Sequence, residues 1–507
     1  MRIVLLLLLT ILSLSIHGQS NLVFGGSKND FTNKALLDKQ GNLYTIGYTR
    51  STNILIDTSY GYDDAWIQKL DSNKNIIWSK AFGGSENDVF NDFLLLNDKL
   101  YCVGTTQSDS GDIIFNHGMY DFWLAVIDTS GNLLFDSCYG GQQDQMAYSI
   151  LQYSNSNLVI SGYSDDTTGQ VSVHLGGKDF WFIEVDTLGN FIREKSIGGP
   201  DNEYLYASSL LPNGDILLAG STINPGVAFS NYHGGQDGAV ACLDTNWNSK
   251  WQICFGESNY DAINDIYIKS LDTVLFVGYS YSNTANSQGM RDAAIWQTNR
   301  VGIESNIKLF GGGNNDNANS IIQDTDSSYL LIGESQSHTG QLRQNFGMDD
   351  VFVFRVDLSL NLLEANNYGG TKVDKGVCII KYDDSTSCII ANSKSDDIQV
   401  PINYGQYDLW ILDTMFVNNS TSINDNINIQ NNIAIFPNPT SDKIHITSQG
   451  KTIESISIYG IQGVSLQSYR VDSKYFMIDV ATLSSGVYLL QIVPEKGAPL
   501  IRKIVIK

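Results

Sequence analysis

Basic residues are scarce in this sequence. Lysine and arginine number 31 against 54 aspartates and glutamates, a formal charge of -23. That balance argues against nucleic acid or an anionic membrane as the main partner. Proline is rarer still, 8 in 507 residues, and charged residues reach only 17%. The polar surface is therefore written in Asn, Ser, Thr, Asp and 46 glycines, a composition that suits short strands and tight turns. There are six cysteines, and none precedes Cys102, which excludes a lipid-anchored cysteine at a mature N-terminus. Their spacings do not resemble a zinc site. Cys242 and Cys254, like Cys378 and Cys388, fall on neighbouring strands; each pair is either a cross-hairpin disulfide or two small buried hydrophobes.

Long apolar runs are also missing, except at the start. Arg2 precedes an apolar stretch from Ile3 to Leu14, too short for a spanning helix of ~20 residues. It reads as a signal peptide over residues 1–18, cleaved after Gly18 to leave Gln19 first, and no transmembrane segment is expected in the mature chain. Catalytic signatures are absent too. There is no Gly-x-Ser-x-Gly elbow, no His-Glu-x-x-His and no phosphate-binding loop.

What the sequence does contain is an internal repeat. A Gly-Gly-like start recurs at Gly25, Gly83, Gly140, Gly198, Gly256, Gly311 and Gly369, at intervals of 55 to 58 residues. A second glycine ends an apolar run in each copy: Gly47, Gly104, Gly162, Gly220, Gly278 and Gly333, with Ala391 in the last. An aspartate then opens a third run: Asp64, Asp121, Asp179, Asp237, Asp292, Asp350 and Asp408. From that aspartate to the next copy's first glycine is always 19 residues. Each copy holds four strand-like runs, as in AYSILQYS, NLVISGYS, DFWFIEVD and NFIREKSIGG. The second run is apolar at successive positions, the mark of a strand covered on both faces.

Four strands per copy, seven times, predict an all-β fold: a seven-bladed β-propeller over residues 19–416. The last copy lacks a fourth strand, whereas Asn21–Phe24 supplies a surplus one before the first. The N-terminal strand is therefore expected to complete the last blade, next to Trp410. These repeats resemble the Gly-Gly-x-x-x-Asp propeller-type repeats of secreted proteins in bacteria with type IX secretion. Segments such as LDSNKNIIW also resemble quinoprotein propeller repeats, but a quinone cofactor would call for adjacent cysteines, which the chain lacks. No cofactor is expected.

A polar linker spans 417–432, and short strands follow over 433–507, the pattern of a small Ig-like β-sandwich. Pro437, Asn438, Pro439, Gly486, Tyr488 and the basic Arg502, Lys503 and Lys507 resemble, in order, a type IX secretion C-terminal (type A) sorting domain. The resemblance implies recognition by the outer-membrane translocon and a secreted or cell-surface location.

Two acidic columns are candidates for function. The aspartates that open the third runs occur seven times, so they read as turn caps bonded to the Gly-Gly turn. Asp30, Asp88, Glu203, Asp261, Asp316 and Asp374, with Gln145 in the third copy, follow the Gly-Gly start by a fixed interval. They are read either as loop caps or as a binding rim around one channel mouth, and they are the candidate site. No catalytic residue and no metal ligand is assigned; His117, His174 and His233 fall on different blades. The chain reads as an interaction module for a surface glycan or protein rather than an enzyme. A secreted hydrolase acting on polysaccharide is the alternative.

Overall fold

The computed structural model describes residues 21–52, 60–153, 157–281, 287–342, 345–383, 386–414, 433–436, 440, 442–448, 452–460, 465–495 and 500–506. The expected signal peptide and linker, and Pro437, Asn438, Pro439 and Lys507, lie outside the described residues. The chain divides into two compact units, one within residues 1–417 and one within 418–507.

Among the described residues the first unit holds seven four-stranded antiparallel sheets and no helix, as propeller blades would require. The first sheet runs Asp30–Leu37, Leu43–Thr49, Asp64–Leu70 and Ile76–Phe82, paired in chain order. Five more follow the same order, their first strands opening at Asp88, Gln145, Glu203, Asp261 and Asp316. The seventh takes three consecutive strands, Asp374–Lys381, Ser387–Ser393 and Asp408–Thr414, and completes itself with Asn21–Phe24. Val23 lies opposite Trp410, and the Trp410 indole N–H donates to the Asn21 side-chain oxygen at 2.7 Å.

The second strand of each sheet is largely apolar because neighbouring sheets bury both of its faces. Leu158–Ser164 and Ile216–Thr222 are buried at every residue. The core is consequently a series of layers between sheets. Phe90 of the second sheet stacks on Trp123 at 4.6 Å, in a cluster that takes Tyr44, Ile46 and Ile67 from the first. The layer holding Trp66 and Leu70 of the first sheet takes Ile390 and Ile411 from the seventh.

One irregularity recurs in all seven sheets. The pairing of the first strand with the second slips by one residue, a β-bulge centred on Asn33, Asn91, Tyr148, Tyr206, Asn264, Asn319 and Val377. The bulge explains the second glycine of the repeat. At Gly47 a Cβ would stand 1.8 Å from the Phe31 carbonyl oxygen, and at Gly162 1.8 Å from that of Met146. In the seventh sheet Ala391 takes the place of that glycine, and its partner across the ladder is Gly376. The side chain has moved across the pair and the glycine has moved the other way.

The cysteines do not face one another. Cys254 pairs with Ala239 and Cys242 with Trp251; Cys378 pairs with Ile390 and Cys388 with Ile380. Register therefore rules out the cross-hairpin disulfides, and all six thiols are free.

The second unit packs a three-stranded sheet (Ile433–Phe436, Lys443–Ser448, Tyr475–Asp479) and a four-stranded one (Ser465–Ser473, Ile453–Gly460, Gly486–Pro494, Leu500–Ile506) around an isoleucine-rich core. Gly486 opens its strand, and the Tyr488 hydroxyl donates to the Ser484 carbonyl at 2.7 Å. Arg502 and Lys503 are exposed on the last strand. No helix among the described residues is long and apolar enough to cross a membrane.

Candidate functional site

The structure places the acidic column in the interior. Asp30, Asp88, Gln145, Glu203, Asp261, Asp316 and Asp374 are all 0% exposed. Each accepts the backbone N–H four residues upstream, in the Gly-Gly-like turn, at 2.5 to 2.8 Å. Hydroxyls at the ends of the second strands complete the clamp: Thr49, Thr106, Thr222, Ser335 and Ser393 donate to the same carboxylates. In four copies a second hydroxyl, from Ser51, Ser108, Ser337 or Ser395, adds a bond of 2.8 Å. As placed, these groups cap turns and offer no open rim of ligands. Strand alternation is the reason. Asp30 shares a face with Thr32, which is buried between sheets, whereas Phe31 and Asn33 face the other way.

The third-strand aspartates cap a different turn from the one expected. Asp121 accepts the His117 N–H at 2.8 Å, Asp179 that of Leu175 at 2.7 Å and Asp237 that of His233 at 2.7 Å, all in the preceding loop. Against the Gly-Gly turn they make a packing contact instead. A Cβ on Gly198 would lie 1.9 Å from Asp179 Oδ1 and 2.6 Å from Glu203 Oε2. Gly25, Gly311 and Gly369 likewise let two buried carboxyls approach, one from each adjoining sheet, and Gly140 an aspartate and the Gln145 amide. Burial first, then the facing carboxylate, raises these groups: Asp88, Asp261 and Asp316 to about 6, Glu203 and Asp408 to about 7, Asp350 to about 8. The three histidines sit on their own sheets' aspartates, His117 on Asp121 at 2.6 Å, His174 on Asp179 at 3.5 Å and His233 on Asp237 at 3.0 Å.

The first strands of all seven sheets line one cavity of about 540 Å³. The bulge builds it, because it turns two successive side chains toward the same space. The first of the two positions reads Asn33, Asn91, Tyr148, Tyr206, Asn264, Asn319 and Val377. The second reads Lys34, Asp92, Ser149, Ala207, Asp265, Ser320 and Cys378. Sequence reasoning passed over both columns, since neither carries a motif. Asparagine recurs in four of the seven copies at the first position, and the second varies in size, charge and polarity.

Many of these groups also stitch sheet to sheet. The Asn33 amide donates to the Phe90 carbonyl at 2.9 Å, Asn91 to that of Ala147 at 2.7 Å, Asn264 to that of Ala318 at 2.9 Å and Asn319 to that of Gly376 at 2.8 Å. Asp92 accepts the Ile150 N–H at 3.0 Å and Asp265 that of Ile321 at 3.1 Å. In the seventh sheet Val377 cannot make the amide bond, Cys378 accepts the Ala35 N–H on its sulfur, and Asn392 on the next strand adds a stitch of its own. It accepts the Thr32 N–H at 2.7 Å and donates to the Thr32 carbonyl at 2.8 Å, joining the last sheet to the first. Lys34 Nζ lies 4.0 Å from Asp92, and the Asp92 and Asp265 charges hold its ammonium well above the usual lysine range. Burial raises Asp92.

Residues 434–507 match the family model described as the secretion system C-terminal sorting domain. That domain marks a protein secreted by the type IX system to the cell surface or the extracellular space. No curated protein matches the chain. Among solved structures the chain is similar to PorZ, an essential bacterial surface component of the type-IX secretion system of Porphyromonas gingivalis, at 12% identity and a TM-score of 0.40, over 96% of this chain and 60% of that one. The chain thus spans three fifths of that protein's length. It is also similar to a fungal alcohol oxidase of the AA5 family in complex with copper (13%, 0.44, covering 96% and 99%) and to the polysaccharide lyase Uly1 (10%, 0.43, covering 78% and 92%). At these scores none of the three carries an argument about ligand or activity.

Proposed function

We propose that the chain is a secreted, seven-bladed β-propeller interaction module whose ligand enters the cavity lined by the first strands. The C-terminal unit, read as an Ig-like sandwich, delivers it to the type IX machinery at the outer membrane. One observation carries the reading of the site. Within a frame repeated seven times, the two columns that vary in size, charge and polarity face a single cavity of about 540 Å³, within the range of ~300–1,000 Å³ usual for small-ligand sites. A structural ring would have kept the stitching asparagine in every copy.

The variable loops offer a competing surface, since Tyr62, Phe115 and Val227 are exposed on them. A plug separates the two. Ala207 lines the cavity and is 8% exposed. Ala207→Trp should fill the space while leaving the loops untouched. Surface polymers extracted from the producing cell should bind the wild type and not the plugged variant. Equal binding would move the site to the loops.

The hydrolase alternative rests on Asp92 and Asp265, two carboxylates outside the repeat's turn clamps that line the same cavity. Glycoside hydrolysis needs such a pair. Both already hold backbone N–H groups of the next sheet. Binding without turnover is therefore the favoured outcome, and assay of every bound polymer for chain cleavage tests it.

A further inference from the structure

The asparagine belt is broken in three sheets, two of them adjoining. Where four sheets carry a bulged asparagine that donates to the next sheet's carbonyl, the third and fourth carry Tyr148 and Tyr206. A phenol cannot make that short amide bond, so two stitches are given up side by side. The Ser149 and Ser208 hydroxyls, 2.9 Å apart, tie the third sheet to the fourth instead. In exchange the cavity gains an aromatic wall. The rings of Tyr148 and Tyr206 lie 5.5 Å apart and nearly perpendicular. Tyr163, buried and outside the lining, stacks on Tyr148 at 5.7 Å, and Lys178 Nζ stands 4.7 Å from its ring centre. Leu94, Ile266 and Val377 are among the apolar residues of the remaining lining, and its polar groups are pre-oriented: Asp92 and Asp265 are fixed by backbone N–H groups, and the asparagine amides by carbonyls.

We infer that the cavity is a sugar-binding site, with the ring face of Tyr148 or Tyr206 stacking on one face of a pyranose ring and the other tyrosine, nearly perpendicular to it, bounding the sugar's edge. This rests on the cavity being the binding site at all. A pyranose has an apolar face of C–H groups and a rim of hydroxyls. It is matched by a cavity that offers aromatic faces on one side and fixed amide and carboxylate groups around the rest. The charges narrow the class. Lys34 is outnumbered by Asp92 and Asp265, so the lining is net negative and disfavours uronic or sulfated sugars. The ligand is a neutral or amino sugar at the end of a chain.

The test is calorimetric titration of the mature protein with soluble neutral, amino and uronic oligosaccharides of two to six units, with nucleosides as an aromatic control. Neutral or amino sugars should bind. Tyr148→Ala and Tyr206→Ala should each weaken binding roughly tenfold, and Tyr148→Phe and Tyr206→Phe should retain it, because the face and not the hydroxyl does the work. Should the alanine variants misfold, saturation-transfer NMR on the unmodified protein gives the same answer. Transfer from tyrosine ring protons to the axial C–H groups of the sugar is expected. Alanine variants that fold and bind like the wild type overturn the inference, as does preference for uronic sugars or nucleosides. If no saccharide binds while the Ala207→Trp plug still abolishes polymer binding, the cavity reading stands and the sugar assignment falls.

Discussion

Replacing Glu203 by glutamine removes one negative charge from the junction of the third and fourth sheets and leaves the side chain's shape unchanged. Glu203 is 0% exposed and shares the Gly198 contact with Asp179. Burial pushes its carboxyl up to about 7 from an ordinary 4.5; the Thr222 hydroxyl and the Gly199 N–H pull it back, and the Asp179 charge adds to the rise. In the unfolded chain the group ionises near 4.5, whereas in the folded chain it keeps its proton to about 7. Across that window the folded state binds more protons than the unfolded one, so stability falls as pH rises and levels off above about 7. The difference of about two and a half pH units corresponds to roughly 3 kcal/mol. Glu203→Gln has no such proton to lose. Its stability relative to the wild type should therefore grow by most of that amount between pH 5 and pH 8. The variant has a native precedent, since Gln145 fills the same position in the third sheet and accepts the Gly141 N–H at 2.8 Å. Urea unfolding of the mature protein at the two pH values, followed by tryptophan fluorescence, measures the difference. Parallel pH profiles for the two proteins would refute the acid-pair reasoning.

Four further outcomes follow. Asn392→Ala leaves the buried N–H and C=O of Thr32 unpaired at the one junction that closes the sheets, and should destabilise by roughly 2–5 kcal/mol in the same unfolding assay. Asn33→Ala, which removes a single partly buried stitch, should cost about 1 kcal/mol. Gly198→Ala places a methyl group 1.9 Å from Asp179 Oδ1 between two rigid sheets, and should cost about 3 kcal/mol or more, read as a lowered Tm or loss of soluble protein. Deletion of residues 433–507, which lie within a separate compact unit, should leave the Tm of the first unit unchanged and trap the protein in the periplasm on cell fractionation.

The repeated features were legible in the sequence because each answers to backbone geometry imposed seven times. Gly47 and its counterparts exist for the bulge, and Gly198 and its counterparts for the facing carboxyls. The complementary missing and surplus strands announced how Asn21–Phe24 would pair. The pairing of caps with turns was not legible. Asp30 and Asp64 each follow a glycine-containing turn by the same short interval, and only coordinates show that Asp30 holds Gly26 while Asp64 holds Tyr60. The cavity was hidden for a further reason. A strand read as simply alternating sends Asn33 and Lys34 to opposite faces, and the bulge that turns both toward the cavity leaves no mark on the inner strand itself. The second glycine was its mark, displaced onto the neighbouring strand. The acidic column attracted the search because its chemistry repeats in every copy but one, while Tyr148 and Tyr206 interrupt a column that is asparagine in only four copies, and Asp92 and Asp265 lie in one that varies.

Hydrogen exchange on the wild type, free and with bound ligand, tests most directly whether this propeller binds through its cavity. The account predicts new protection on the first strands, over Phe31–Lys34, Val89–Asp92, Met146–Ser149 and Tyr204–Ala207, where the cavity lining sits. Protection confined to the loops over 107–120 and 223–236, with those strands unchanged, would contradict it.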